Sequence, residues 1–545
     1  MRTGGHVVIE CLDALGAKIV FGLPGIHALP MWEGLRSSRI RALNFRTELN
    51  AGFAADGYAR VSGRVAPLLL STGPGALNAL TALMEAAASY VPVVAVSSQI
   101  PRAMLGRRRG FLHELNDQIA SFRPIVKWAA TVDRADQLPE LLAEAWSMAL
   151  TPPTGPTYVE VPYDVLHQEA SVPRAVNLRA HPGAAIAADL NLVEDAADLL
   201  REAQRPVIWA GGGVLRSRAW SELRQLAELI DAPVAMTYMG KGAFPENHPL
   251  SIGSSPDDRA FQELLGNADV VLCVGTELGA ETTAQYGLRF KGRVIQIDVD
   301  PLKMGATYPV LGLVGDAKVT LEKLIEVITT PTLPARGREL GREESGSVRA
   351  TRVRERIAAG LDQQGRGLER GMLATIRRVM PPEAVTAWDM TILGYWAASQ
   401  FPALTPSRFL YPLGSGTLGY AWPGALGAKA ALGEVPALAV VGDGGFLYST
   451  AELLTAREHR LDAKLLLIDD SGYGILREYQ REAFGETQSV DLVQPDFAAL
   501  CAACGVPARV TTEKQFEADL RWALAIEGPA VVIFRGLLTA ARPTG

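Results

Sequence analysis

Short apolar runs rich in Val, Ile and Leu alternate along this chain with longer stretches whose apolar residues recur every third or fourth position. The first pattern suits strands buried on both faces and the second suits helices with one buried face. Together they predict βαβ units and parallel sheets. The strand candidates are KIVFGL, APLLLST, VPVVAVSS, PTYVEVP, PVIWAGGG, VVLCVG, VIQIDVD, ALAVVGDG, KLLLIDD and PAVVIFRG. Two segments rich in Pro, Gly and charge interrupt the alternation, SVPRAVNLRAHPGAA (171–185) and TTPTLPARGRELGREESGSVRA (329–350). They read as linkers. The expectation is an α/β chain of three doubly wound parallel-sheet domains, at 1–170, 185–330 and 360–540, without short repeats or low-complexity tracts.

Length supports the division, since 545 residues exceed the ~150–200 that one core organises. Apolar residues at 48% and charged ones at 21% fit a soluble globular protein. A net charge of −6 without a long basic run argues against a nucleic-acid partner. Four cysteines cannot build a disulfide framework, which favours a reducing compartment. The opening MRTGGHVVIECLDALGAKIVFG has neither the pattern of a signal peptide nor that of a membrane span. A cytoplasmic protein without membrane association is expected.

The candidate chemistry concentrates in VVGDGGFLYSTAELLTAREHRLDAKLLLIDDSGYGI (440–475). One apolar run ends at Gly442 before Asp443, and the next ends at Asp469-Asp470. Gly444 and Gly445 allow close approach of the backbone to a phosphate at the start of a helix. A carboxylate beside a phosphate calls for a hard cation between them, and Mg²⁺ binds through carboxylates and phosphates. Asp443 and Asp470 are therefore candidate ligands. Equally, Asp443 and Asp469 read as helix caps, and the residues alone leave both readings open.

GDGGF followed by DDSGYGI resembles the cofactor motif of thiamine-diphosphate-dependent enzymes, with Asp469-Asp470 where that family usually carries two asparagines. The resemblance implies that Asp443, Asp470 and the main-chain oxygen of Gly472 hold Mg²⁺. It also implies that the amides of Gly444, Gly445, Gly472, Tyr473 and Gly474 hold the diphosphate. FRTELNAGFAADGYAR places Glu48 where the family has the carboxyl group that acts on the aminopyrimidine ring. FGLPG and STGPGALN resemble the loops of the acetolactate synthase and pyruvate oxidase group, which puts Pro24, Gly25, Pro74 and Asn78 around the cofactor. GSGTLGYAWPGALGAKAAL resembles the segment that bends the cofactor, with Leu418 as the bending residue and the Gly416 oxygen as a hydrogen-bond acceptor. WDMTILGYW resembles a diphosphate-side turn, with Thr391 and Ile392. The three domains are then pyrimidine-binding, central and diphosphate-binding. Family practice implies a homodimer or homotetramer with active sites at the dimer interface.

The resemblance implies decarboxylation of a small-molecule 2-oxo acid through an enamine. The residues matching the pocket are His27, His113 and Glu114, in GIH and RGFLHELNDQ. This pair of segments most resembles decarboxylases of 5-guanidino-2-oxopentanoate, where Glu114 would meet a guanidinium. A carboligase like acetolactate synthase or benzaldehyde lyase is the alternative reaction. A degenerate cofactor-binding regulatory subunit is the non-enzymatic one. WAGGGVLRS (209–217) follows a strand, but GTELGAETTAQYG does not resemble a flavin-contacting stretch, so FAD ranks behind thiamine diphosphate and Mg²⁺ as a cofactor. CAAC (501–504) reads as part of a helix with small buried residues.

Overall fold

The structure, a computed structural model, describes residues 2–175, 177–330 and 344–544. It contains three six-stranded sheets, each parallel throughout. The first holds β1 (Ile19–Gly22), β2 (Arg41–Asn44), β3 (Ala66–Leu70), β4 (Val93–Gln99), β5 (Trp128–Thr131) and β6 (Thr157–Pro162), in the order 2-1-3-4-6-5. The second holds β7 (Val207–Ala210), β8 (Val234–Met236), β9 (Ser251–Gly253), β10 (Val270–Val274), β11 (Arg293–Asp298) and β12 (Leu311–Val314), in the order 12-11-10-7-8-9. The third holds β13 (Val385–Trp388), β14 (Phe409–Leu410), β15 (Ala437–Gly442), β16 (Ala463–Asp469), β17 (Ala508–Thr511) and β18 (Ala530–Arg535), in the order 14-13-15-16-18-17. The first and third sheets share one winding order, a similarity that no sequence repeat announces.

Helices cover both faces of each sheet, so central strands such as β3, β4, β6 and β10 are buried along their whole length. The ten runs read as strands all occupy interior positions. The eight strands not anticipated include all six sheet edges, β2, β5, β9, β12, β14 and β17. An edge strand has one hydrogen-bonding neighbour and partial cover, so its apolar run is short or broken; β5 is only half-buried and β14 is two residues long.

Residues 171–185 form no helix or strand, with Val176 outside the described residues. The second presumed linker is corrected at its end. Residues 331–343 lie outside the described residues, and a helix already begins at Gly346 and runs to Gln363. Ser345 caps it, and Arg356 and Gly346 bind Glu263 and Asp231 of the second sheet's layer. A Pro- and charge-rich composition concealed this start because the capping serine and the apolar stripe come only after it. The helix Phe497–Ala503 contains a buried Cys501, in line with a packing role for CAAC.

Parallel strands point their C-terminal ends to one side, and loops that leave those ends build ligand sites. The first and third domains meet where the helix Glu48–Ser62 packs on the helix Ala421–Leu432. Their core is continuous: Phe53, Ala54 and Tyr58 share one apolar cluster with Tyr420, Trp422 and Ala425. Complete burial of Phe53 stabilises by about 1.5–3 kcal/mol. The crossing is close because glycines face backbone. A Cβ on Gly57 would lie 2.2 Å from the Gly424 oxygen, and one on Gly427 would lie 1.9 Å from the Ala54 oxygen. Gly427→Ala is therefore expected to destabilise the protein by about 1–3 kcal/mol through overpacking. Thermal unfolding checks this, and an unchanged melting temperature would contradict the close crossing.

Candidate active site

β15 and β16 are parallel neighbours in which Gly442 pairs with Ile468. Asp443 and Asp470 therefore emerge side by side although a helix and a strand separate them in sequence. Asp443 is buried and opens the helical turn Asp443–Phe446. Its Oδ1 accepts from the Gly444 N–H at 2.7 Å, and its Oδ2 accepts from Gly472 N–H at 3.0 Å and Gln494 Nε2 at 2.9 Å. Burial, and then the charge of Asp470, pushes the Asp443 carboxyl up to about 7. Burial pushes Asp470 up to about 6 despite nearby Arg477. Asp470 Oδ1 and Gln494 Oε1 are buried with no hydrogen-bond partner.

Two disfavoured carboxylates and two unpartnered oxygens fit a hard cation. Among the described residues no cluster of three His, Cys, Asp or Glu forms a self-contained metal site. Further ligands would have to be main-chain oxygens or phosphate oxygens, as is usual for Mg²⁺. The turns around the acids have no room for side chains. A Cβ on Gly474 would sit 2.1 Å from Asp470 Oδ2, and one on Gly444 would sit 2.6 Å from the Tyr473 ring. Thr391, at the start of the helix Ile392–Gln400, borders Gly442.

Asp389 escaped the sequence reading. It is buried at the end of β13, and burial pushes its carboxyl up to about 7. Its oxygens accept from the N–H of Gly419 at 2.9 and 3.1 Å and of Met390 at 3.0 Å. It thus ties the β13 edge to the segment holding Gly416, whose φ is +67°, and half-buried Leu418. Its signal was an acid directly after an apolar run, the same signal that singled out Asp443.

In the first domain, Glu48 is buried in the opening turn of its helix, where Thr47 Oγ1 accepts from Asn50 N–H. Glu48 Oε2 accepts from Asn78 Nδ2 at 3.3 Å, and a Cβ on Gly75 would lie 2.8 Å from Oε1. Pro74 and Asn78 belong to the short helix Pro74–Asn78 after β3, while exposed Pro24 and half-buried Gly25 follow β1, with Gly25 packed on Ser71. Two unanticipated residues hold this arrangement. Gln118 Oε1 accepts from Gly73 N–H and Thr72 Oγ1, each at 2.7 Å. Fully buried Glu452 of the third domain accepts from Arg46 N–H and Asn50 Nδ2, beside Glu48.

The structure brings His27 and His113 together, with ring centroids 5.1 Å apart. Both Nδ1 atoms are buried without a partner. Burial, then His113 and His167, holds the His27 pKa below the usual imidazole value. His113 has a φ of +67° and lies against Gly73, where a Cβ would clash with it at 2.8 Å. Glu114 follows His113 on the same loop. Its carboxylate closes its own loop, accepting from the N–H groups of Gly110 at 2.8 Å, Phe111 at 3.0 Å and Arg109 at 3.4 Å. Desolvation opposes its ionisation, but those amides outweigh it and hold the carboxyl below its usual range.

A separate cavity of about 540 Å³ lies at the C-terminal ends of the second sheet. Gly212, Gly213, Arg216, Thr276 and Asp298 line part of it.

Paired acids among glycine turns in one parallel-sheet domain, and a buried glutamate in another, define a cofactor-dependent enzyme of the α/β class. The family is settled by comparison: the chain belongs to the thiamine pyrophosphate enzymes. The N-terminal TPP binding domain matches residues 2–121, the central domain 193–324 and the C-terminal TPP binding domain 389–534. A probable 2-ketoarginine decarboxylase of Pseudomonas aeruginosa is 36% identical over 98% of this chain and 94% of its own. A probable acetolactate synthase large subunit of Methanocaldococcus jannaschii is 30% identical over 96% of this chain and 90% of its own. The acetolactate synthase large subunit of Corynebacterium glutamicum is 31% identical over 97% and 86%. No helix among the described residues is long and apolar enough to cross a membrane.

The raised carboxyls make a prediction for metal-free protein. Asp443 and Asp470 bind protons more tightly folded than unfolded, so stability falls as pH rises from about 4 through their folded values of about 6 and 7. Asp470→Asn should recover part of that loss, raising the melting temperature at pH 8 in chelator and leaving it unchanged below pH ~4. Equal melting curves at pH 8 would contradict the like-charge pair.

Proposed function

We propose that this protein is a Mg²⁺- and thiamine-diphosphate-dependent decarboxylase of a small 2-oxo acid. The juxtaposition of Asp443 and Asp470 with an unpartnered oxygen among glycine turns carries the reading. Asp443 and Asp470 would hold the cation and the amides of Gly444, Gly445 and the Gly472–Gly474 turn the diphosphate. Gly416, Leu418, Thr391, Ile392, Pro24, Gly25, Pro74 and Asn78 would line the remainder. Bound thiamine diphosphate supplies an electron sink for the carbon that loses CO₂.

The protein's own groups then have separable tasks. Glu48, held by Asn78, exchanges a proton with the aminopyrimidine nitrogen. His113, with the His27 ring beside it, would deliver a proton to the carbon that lost CO₂. Apolar side chains stand exposed on both sides, Ile26, Leu29 and Leu112 in the first domain and Leu447, Tyr448, Leu476 and Val493 in the third. Their exposure supports a homodimer or tetramer whose active sites lie between subunits.

The first substrate to test is 5-guanidino-2-oxopentanoate, by likeness to the Pseudomonas relative. A second reading, carboligation of pyruvate or another anionic 2-oxo acid, is favoured by one observation. Arg107, Arg108 and Arg109 are exposed on the His113 loop, and none forms an ion pair among the described residues. Three free guanidiniums attract carboxylates and repel a cationic tail. The central cavity keeps FAD as a secondary candidate, which flavin absorbance of the purified protein decides.

Glu48→Gln should keep the fold and bind cofactor while turnover falls about 10²–10⁴-fold. Near-normal turnover would remove Glu48 from the chemistry. His113→Ala should lower kcat more than it raises KM, because the proton is delivered after substrate is bound. A panel of 2-oxo acids incubated with cofactor and Mg²⁺, with CO₂, aldehyde and acyloin measured, decides the reaction. Acyloin from pyruvate with no CO₂ from the guanidino acid would put carboligation first, and no turnover of any acid would favour a regulatory subunit.

A further inference from the structure

Two carboxylates of the first domain, Asp56 and Glu85, are completely excluded from solvent, and Arg60 between them is nearly so. Arg60 Nε lies 2.6 Å from Asp56 Oδ1, and its Nη2 donates to Glu85 Oε1 at 2.7 Å. At contact distance two negative charges thus face one positive charge, and Arg216 of the central domain forms no ion pair with either acid. A buried surplus carboxylate is costly unless donors satisfy it.

Those donors come from the third domain. Glu85 Oε2 accepts from both Ser415 N–H and Ser415 Oγ, each at 2.7 Å. Asp56 Oδ1 accepts from the Tyr420 hydroxyl at 2.7 Å. Arg60 Nη1 donates to the Tyr411 oxygen at 3.2 Å, and Ser89 Oγ donates to Glu85 Oε1 at 2.8 Å. Gly414 leaves no space at the contact, since a Cβ there would sit 2.6 Å from Ser89 Oγ. One donor, Arg60, and two acceptors, Glu85 and Asp56, thus grip positions 411, 415 and 420, on both sides of Gly416 and Leu418. Between the grips the chain turns at Gly416 and Gly419, with φ of +67° and +80°.

We propose that the Asp56–Arg60–Glu85 triad is a positioning device for the segment 411–420, and so sets the shape of the wall that Gly416 and Leu418 present to thiamine diphosphate. Ion pairs of this kind contribute little net stability compared with a well-packed apolar core. They do select one arrangement, because sliding the segment by one residue strands two buried acids. The helix that carries Glu48 at its start therefore carries the anchor of the segment in its last turns. The inference rests on the assignment of Gly416 and Leu418 to the cofactor, and these residues act through the segment without touching the reacting atoms.

The test uses full-length protein with two readouts, one of which needs no cofactor. In cofactor-free protein, Glu85→Ala should accelerate amide exchange in the peptide covering 411–420 by about tenfold or more, the equivalent of one lost charged hydrogen bond. Exchange in β10 and β11 should stay unchanged. Thiamine diphosphate affinity at saturating Mg²⁺, followed by tryptophan fluorescence, should weaken by a similar factor, and Glu85→Gln should restore part of it. Ser415→Ala and Tyr420→Phe remove donors while leaving the ion pairs intact, so they serve if Glu85→Ala does not fold. Exchange that rises evenly across both domains, with unchanged cofactor affinity, overturns the proposal in favour of a purely structural role. Local loosening with unchanged affinity, while wild type binds cofactor, overturns the link to the site. Wild-type protein that binds no thiamine diphosphate overturns the cofactor assignment itself, and the exchange data then report on the anchor alone.

Discussion

The closest constraint in this molecule is the backbone contact between the helices Glu48–Ser62 and Ala421–Leu432. Gly57 and Gly427 bring main chain against main chain, so the two helices have little freedom to slide or rotate. Everything attached to them inherits that precision. Glu48 stands in the first turn of one helix and Arg60 in its last, about 18 Å further along at 1.5 Å per residue. One rigid element thus serves the turn next to Asn78 and the buried anchor of the segment 411–420. Apolar burial holds the helices together, and the glycines decide where.

Two treatments of buried charge follow, with different consequences. Asp56 and Glu85 are compensated by Arg60, a tyrosine hydroxyl and a main-chain amide, so they fix geometry. Asp443 and Asp470 are left undercompensated among glycine turns, with oxygens that lack donors. Undercompensated acids cost stability in the free protein and become favourable when a cation arrives. Groups disfavoured by burial and like charge mark functional sites for this reason. His27 follows the same logic with the opposite sign, since burial disfavours the charged imidazolium.

The loop carrying His113 shows how tertiary contacts redistribute roles among neighbours in sequence. His113 is turned inward toward His27 by a left-handed backbone, whereas Glu114 folds back on the amides of residues 109–111. Adjacent residues with equally plausible chemistry thus end up with unlike surroundings. The arginines that precede them stay exposed and form no ion pair among the described residues, which gives the loop a positive outer face.

Local signals determined much of this protein. Periodicity exposed the interior strands because burial on both faces leaves a continuous apolar run. Strand-ending acids near glycines singled out Asp443 and Asp470, which the pairing of β15 with β16 brings side by side. Glu48 and Leu418 were singled out only through resemblance. What the tertiary structure decided were pairings between distant residues: Glu452 with Asn50, Gln118 with Gly73, Asp389 with Gly419, and Glu85 with Ser415. It also decided the edge strands, whose half-burial weakens their pattern, and the shared winding of the first and third sheets. A sequence records what each residue favours within a few neighbours, but a hydrogen bond to a residue tens or hundreds of positions away leaves no local trace. Such bonds exist only once packing has excluded water from both partners.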